Sequence, residues 1–167
     1  MPTATLQQSL LAVGDPAVRT GIAAERIELG GGCWVEIVTS YVAGADVALF
    51  DLIEATDWRR GRRHMYDRIV DEPRLSRWYR AGVALPHPVL GAIGDDLAVR
   101  YGRPLRGPGL NYYRTGADSV AFHRDNELRY LDDTLVAIVT FGARRPFLLR
   151  PHGGGRSIDL APGSGDL

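Results

Sequence analysis

His123 and Asp125 are the residues whose types and spacing first suggest chemistry, in the run His123-Arg124-Asp125. In a strand, residues two apart project to the same face, so the imidazole and the carboxylate converge. They offer two of the three donors of the two-histidine-one-carboxylate site that holds non-haem Fe(II) with open positions. The alternative is a histidine at a strand end that hydrogen-bonds its neighbouring carboxylate, and the pair alone leaves both interpretations open.

Asn111 and Tyr113 lie one predicted hairpin upstream of this pair and also share one face of a strand. Their amide and phenol groups could hydrogen-bond a small carboxylate ligand beside a metal. As isolated residues they could equally make hydrogen bonds in a core or a turn. Their proximity to His123 and Asp125 in the sequence makes the whole run the strongest candidate site.

Hydrophobic periodicity predicts the elements that must position these residues. Three helices are predicted, over residues 5–12, 46–55 and 87–101. Two strands are predicted on either side of the Gly30-Gly31-Gly32 turn, over residues 25–29 and 34–42. Five short strands follow Pro104, over residues 110–114, 119–123, 133–141, 146–150 and 157–160. The run from 135 to 141 is apolar on both faces, which is typical of a central strand.

Helices followed by many short strands favour an α+β domain with a β-sandwich or jelly-roll core. The 167 residues suit a single domain. We divide it into a support region at 1–55, an arginine-rich segment at 56–85 and a partial jelly-roll core at 104–167. Residues 56–82 have no clean period, and we predict an elaborated loop or short irregular strands there.

The composition is 45% hydrophobic and 24% charged, which excludes a disordered chain and a disulfide scaffold. The single cysteine, Cys33, cannot form an internal bridge, which favours a reducing compartment. The N-terminus has no secretory signal pattern and no apolar run is long enough to span a membrane. We therefore expect a cytoplasmic protein, without membrane association and monomeric.

The charge is distributed unevenly although the net charge is zero. All twenty basic residues are arginines, and eight of them lie between Trp58 and Arg80 beside only three acidic residues. Arginine forks bind phosphate oxygens bidentately, so an anionic partner is one interpretation of this segment. A solvated face with internal salt bridges is the other interpretation.

The combined run resembles the AlkB family of Fe(II)- and 2-oxoglutarate-dependent dioxygenases, which repair alkylated nucleic acid. The family signature is an Asn-x-Tyr strand, a glycine turn and His-x-Asp, here Asn111, Tyr113, Gly116, His123 and Asp125. The segments LVAIVTFGARRPFLLR and PGSGDL are similar to the strands that follow in the family. Upstream, MYDRIVDEPRLSRWY is similar to the family's nucleotide-recognition lid, with Pro73-Arg74 and Tyr79 as fixed points. The resemblance covers residues 58–167 well.

The resemblance implies a double-stranded β-helix, or jelly-roll, core with N-terminal helices packed on it, and it implies a role for each matched residue. His123 and Asp125 match iron ligands, and Asn111 and Tyr113 match residues that contact 2-oxoglutarate. Asn126 and Glu127 match positions that face a damaged base. Tyr66 matches an aromatic finger that fills the gap left by a flipped base. Phosphates would be held by arginines of the lid, namely Arg59, Arg60, Arg62, Arg63 and Arg74.

The chain departs from the family where its second metal histidine and its 2-oxoglutarate arginine should lie, because both fall beyond Leu167. We expect a truncated sequence that lacks the third iron ligand and is incomplete at its C-terminal end. His152 lies in a predicted hairpin loop and is not expected to be a ligand.

The expected function is oxidative dealkylation of N-alkylated bases in nucleic acid, first of all DNA, with Fe(II), 2-oxoglutarate and O2. Two alternatives remain open. One is a related dioxygenase acting on a small molecule or a protein, and the other is a non-catalytic nucleic-acid-binding module without the full metal triad.

Overall fold

The computed structural model describes residues 14–65, 67–125, 128, 130–131 and 133–167, with Arg63, His64 and Met65 described by their backbone alone. The first helix and its neighbours are β1 Ala17–Val18, β2 Glu25–Gly30, β3 Cys33–Ile37, β4 Val42–Ala43 and α1 Ala45–Ala55. The remaining elements are β5 Arg59–Met65, β6 Arg68–Trp78, α2 Pro88–Tyr101, β7 Gly109–Tyr112, β8 Leu148–Leu149 and β9 Ile158–Asp159. The mixed α+β class predicted from the sequence is confirmed, and the predicted helix at 5–12 lies outside the described residues.

The helices predicted at 46–55 and 87–101 are both confirmed to within one residue. His87 caps the second helix, because its Nδ1 accepts a hydrogen bond from the backbone N–H of Val89 at 3.1 Å. Pro88 occupies the first turn, where no intrahelical N–H donor is needed. Gly102 then ends the helix in the left-handed conformation, at φ 65°. Neither helix of the described residues is long and apolar enough to cross a membrane.

The two helices enclose the hydrophobic core together with the segment that joins β3 to β4. Its buried residues are Val38, Tyr41, Val42, Ala48, Leu52, Val89, Leu90, Ile93 and Leu97. The fully buried Tyr41 donates a hydrogen bond from its hydroxyl to Asp96 Oδ2 at 2.8 Å. Burial and this bond to Asp96 raise the pKa of Tyr41, so the phenol stays protonated in the core.

The last residues of the chain pack against this core. Leu167 and Val38 exchange both backbone hydrogen bonds, at 2.8 and 3.1 Å, and Val42 N–H donates to the Gly165 carbonyl at 2.8 Å. The carboxylate of Asp166 is buried, and it accepts from the backbone N–H groups of Ser40 and Gly163 at 2.8 and 2.6 Å. The PGSGDL segment is therefore held in place by hydrogen bonds along its whole length.

The glycine hairpin at 25–42 is confirmed with one difference. β2 and β3 pair in antiparallel register around Gly30–Cys33, but the second strand ends at Ile37 instead of Val42. The backbone then turns into the core, and Val42–Ala43 pairs with Ala17–Val18 instead. The buried Val38 and Tyr41 explain the difference, because the backbone leaves the hairpin so that both side chains enter the hydrophobic core.

The prediction of a loop or short irregular strands at 56–82 is wrong. β5 and β6 form a long antiparallel hairpin, and β7 pairs with β6 to make a sheet of order β5-β6-β7. The register shifts between Arg60 and Arg62, where the side chain of Glu72 fills the space beside Gly61. Charged residues on both faces of the hairpin hide the alternation of apolar and polar residues that normally predicts a strand.

The strands predicted at 119–123 and 133–141 are also wrong, since neither segment forms a ladder with any part of the chain that the structure describes. The strands predicted at 146–150 and 157–160 are present but shorter, because β8 and β9 pair over only two residues each. In residues 135–139 half-buried and exposed side chains alternate, so this run is exposed on one face, not buried on both. The described strands form one three-stranded and three two-stranded sheets, and the jelly-roll core remains a prediction.

Candidate functional site

His123 and Asp125 lie side by side, although their segment is not a strand and the strand alternation used to predict their convergence does not apply. His123 Nε2 is 3.6 Å from Asp125 Oδ1, and both side chains are about half exposed. His123 Nδ1 lies 2.9 Å from the carbonyl oxygen of Ala121. A carbonyl oxygen only accepts hydrogen bonds, so the proton of a neutral imidazole belongs on Nδ1. The Nε2 lone pair therefore faces the carboxylate and is available to a metal.

A third donor does not join this pair within the described part of the chain. There, no group of three histidine, cysteine, aspartate or glutamate side chains could hold a metal ion. His152 lies in the turn between β8 and β9, in agreement with its predicted loop position. His87 is occupied as the cap of α2, with Nε2 3.3 Å from Asp51 Oδ2.

Asn111 and Tyr113 lie in and directly after β7, beside the centre of β6. Asn111 is exposed and pairs in register with Ser76. The Tyr113 hydroxyl accepts a hydrogen bond from Arg74 Nη1 at 3.2 Å, and the Arg145 guanidinium lies 4.7 Å from the centroid of its ring. Two arginines therefore fix the Tyr113 side chain, while the Asn111 side chain remains accessible to a ligand.

Asp118 connects these two parts of the site, and the sequence analysis did not identify it. It is buried, and its carboxylate accepts from the backbone N–H, Nε and Nη2 of Arg114 at 2.8–2.9 Å. The Arg114 side-chain hydrogen bond is the main cause that lowers the pKa of Asp118. Arg145 also binds the loop, because it donates to the carbonyl oxygens of Thr115 and Asp118. The Arg114–Asp118 ion pair and the hydrogen bonds from Arg145 hold the turn between Tyr113 and His123.

The run that leads to His123 is attached to the centre of β6. The backbone N–H of Ser119 donates to the Pro73 carbonyl at 3.0 Å. Ser119 and Val120 line a shallow depression together with Glu72, Pro73 and Arg74. The structure thus brings the segment before His123 and Asp125 against the same strand that holds Tyr113 through Arg74.

The lid arginines form ion pairs on an exposed sheet. Arg60 Nη1 and Arg62 Nε both contact Asp71, at 3.4 and 3.2 Å, and Arg59 Nη2 lies 3.1 Å from Asp57. Between half and three quarters of these three arginine side chains remains exposed. Exposed pairs of this kind add little stability, so the guanidinium groups can turn to other anions at low cost.

Four of the predicted site residues cannot be placed. Tyr66, Asn126 and Glu127 lie outside the described residues, and Arg63 is described by its backbone alone. Their proposed contacts with a base or a phosphate therefore remain predictions.

No protein-family model matches the chain, whereas individual relatives do. The human alpha-ketoglutarate-dependent dioxygenase alkB homolog 3 is 28% identical over 123 residues, which cover 65% of this chain and 42% of the relative. The rat protein of that name is 29% identical over 117 residues, and the bovine one is 28% identical over 120. The aligned part is about two fifths of each relative's length. These matches support a relationship to AlkB-like dioxygenases.

Proposed function

We propose that this protein is an Fe(II)- and 2-oxoglutarate-dependent dioxygenase that removes alkyl groups from nitrogen atoms of bases in DNA or RNA. The observation that carries the proposal is the His123–Asp125 pair, which presents one nitrogen and one oxygen donor side by side. The similarity to relatives named as alpha-ketoglutarate-dependent dioxygenases supports the same reaction class.

The geometry of the pair fits a metal ion. Nitrogen and oxygen ligands lie about 2.0–2.2 Å from first-row metals such as zinc. The sum of two such distances is larger than the 3.6 Å between His123 Nε2 and Asp125 Oδ1, so one ion can contact both atoms. The hydrogen bond of Nδ1 to Ala121 supports this arrangement, because ligating histidines donate their second N–H to an outer partner.

The residues of this chain would bind iron, 2-oxoglutarate and the substrate strand and would orient them relative to one another. With 2-oxoglutarate and O2, iron held by His123 and Asp125 supplies the oxidation of an N-alkyl carbon, which leaves as an aldehyde while 2-oxoglutarate becomes succinate and CO2. Asn111 would hydrogen-bond 2-oxoglutarate through its exposed amide, and Tyr113 would present its hydroxyl beside Arg74. The exposed guanidinium groups of Arg59, Arg60 and Arg62 would hold phosphates of the substrate strand.

The test is metal binding and turnover in the product of the native gene. Anaerobic titration with Fe(II) gives the metal affinity, and succinate and aldehyde release from an N-methylated oligonucleotide gives the turnover. We expect His123→Ala to abolish both, whereas His152→Ala, which removes a histidine from an exposed turn, leaves both unchanged.

Unchanged iron affinity in His123→Ala would refute the metal assignment. Oligonucleotide binding without any succinate release would instead place the protein among non-catalytic nucleic-acid-binding modules. Turnover that does not depend on an alkylated base would favour a dioxygenase with a small-molecule or protein substrate.

A further inference from the structure

Trp78 differs from the other two tryptophans because its ring is largely exposed. Trp34 stacks with Tyr101, and Trp58 packs against Tyr112 and donates to the Ile53 carbonyl. Trp78 ends β6 and remains 71% exposed. An exposed indole in a well-paired strand is uncommon, because tryptophan is a residue that folding normally buries to a large extent.

Gly109 makes room for this ring. It is the cross-strand partner of Trp78, and a Cβ at Gly109 would lie only 2.4–2.7 Å from three carbons of the six-membered ring. The indole therefore rests on the bare backbone of β7 while much of its surface remains open to solvent. Any side chain at position 109 would displace the ring from this position.

The surroundings of Trp78 are polar and positively charged. By strand alternation Glu72, Arg74, Ser76 and Trp78 share one face of β6, and Asn111 and Arg59 flank Ser76 on the neighbouring strands. Arg60 and Arg62 pair with Leu75 and Asp71 and therefore lie on the other face of the sheet. Near Trp78 this face carries the guanidinium groups of Arg59 and Arg74, and Arg74 Nε lies 3.9 Å from the Glu72 carboxylate. Trp78 is thus a single aromatic surface at the end of a cationic sheet face, and not the centre of an apolar patch.

We propose that Trp78 is a stacking platform for an unpaired base of a bound nucleic-acid strand, with Arg59 and Arg74 of the same sheet face on the neighbouring phosphates. Aromatic side chains in a positively charged groove bind single strands in this way, because every base has a flat face that stacks on the ring. A protein partner or a second copy of this chain fits less well, since Ser76, Asn111 and Gly109 offer it little apolar area. The inference rests on the nucleic-acid partner of the proposed function but needs neither iron nor 2-oxoglutarate.

The experiment measures binding of two labelled probes by fluorescence anisotropy, without metal. One probe is a single-stranded oligothymidylate, and the other is an abasic oligomer of equal length that keeps the phosphates. We expect Trp78→Ala to bind the oligothymidylate about tenfold more weakly and the abasic oligomer equally well. Trp78→Phe should retain most of the affinity. Ile69→Ala is the matched control, because Ile69 is a 63% exposed apolar residue of the same strand.

Two further readouts separate stacking from a structural role. Oligothymidylate should quench the tryptophan emission of the wild type, and this quenching should be lost in Trp78→Ala. Gly109→Ala keeps the indole but displaces it, so it should weaken oligothymidylate binding in the same direction and leave abasic binding unchanged.

Equal oligothymidylate affinity in the wild type and Trp78→Ala would overturn the proposal. So would an equal loss on both probes, which would indicate that the substitution disturbs the arginines. A slower-sedimenting free protein after Trp78→Ala would overturn it as well, by showing that a second copy covers the ring. If the wild type binds neither probe, both the stacking role of Trp78 and the proposal of a nucleic-acid substrate are refuted. Fe(II) titration still tests the His123–Asp125 site in that case.

Discussion

The helical core and the arginine-rich sheet are built on opposite principles. Residues 38–52 and α2 supply the buried cluster, in which Val38, Tyr41 and Ala48 have no exposed surface. In contrast, none of the described side chains of β5, β6 and β7 is fully buried. One region therefore removes apolar area from water, and the other keeps its side chains in contact with solvent.

The two regions also treat charge differently. In the core, Tyr41 donates to Asp96, and the buried Asp166 receives two backbone hydrogen bonds. In the sheet, Asp71 is shared by Arg60 and Arg62 at the surface. Buried polar groups must keep their partners, whereas exposed ion pairs exchange them readily. The comparison indicates that the core buries apolar side chains and that the sheet keeps charged side chains accessible, as the proposed contact with phosphates requires.

The strongest test of this division is Ile93→Ala in the core. Ile93 is 7% exposed on α2, so the substitution should lower the free energy of unfolding by about 2–5 kcal/mol. Val99→Ala in the same helix is the control, because Val99 is 83% exposed and should change stability by less than about 0.5 kcal/mol. Urea denaturation measures both. Equal effects of the two substitutions would show that α2 does not carry the core.

Asp118→Asn tests the buried carboxylate in the turn that connects the sheet to His123 and Asp125. Loss of charge-assisted hydrogen bonds from Arg114 should lower the free energy of unfolding by about 1.5–3 kcal/mol. Asp133→Asn is the matched control, since Asp133 forms an exposed pair with Arg103 and should have a smaller effect. A loss in Asp133→Asn as large as in Asp118→Asn would contradict the special role of the buried carboxylate.

The same pair predicts a pH dependence. The hydrogen bond from Arg114 lowers the pKa of Asp118 in the folded state, so its stabilisation is fully present above the pKa of an unfolded aspartate, about 3.9. This stabilisation is lost as the pH falls from there through the lower pKa of the folded state. Acid titration of unfolding should therefore show a shallower loss of stability in Asp118→Asn than in the wild type over this range. Identical slopes would argue against the ion pair.

The helices were predictable because short-range signals decide them. Apolar residues at four-residue spacing and the sequence His87-Pro88 fix α2 without reference to the rest of the chain. The hairpin of β5 and β6 was not predictable in the same way, since charged residues such as Arg62 and Asp71 occupy its strands and hide the apolar–polar alternation that normally predicts a strand. The predicted strand at 119–123 fails for the related reason that strand propensity requires a partner, and only Ser119 has one on β6.

The site was predictable only where function depends on adjacent residues. His123 and Asp125 are close because only one residue separates them. In contrast, no local sequence pattern predicts that the Arg145 guanidinium lies over the Tyr113 ring. Asp118 could have been found, because Arg114 and Asp118 stand on either side of the Thr115-Gly116 turn at a distance suited to an ion pair. Trp78 was part of the matched lid segment, but its exposure depends on the long-range pairing with Gly109.

The smallest expected effect on stability, and the sharpest test of the sheet, comes from Arg62→Gln. Its side chain is 75% exposed, so the free energy of unfolding should change by less than about 0.5 kcal/mol. If Arg62 holds a phosphate, the slope of log affinity against log salt concentration should fall by about one for a single-stranded oligonucleotide. Arg156→Gln removes an equal charge from the loop between β8 and β9 and should leave that slope unchanged. Equal slopes in the wild type and both variants would mean that the sheet is only a solvated surface, and the contrast with the core would then concern stability alone.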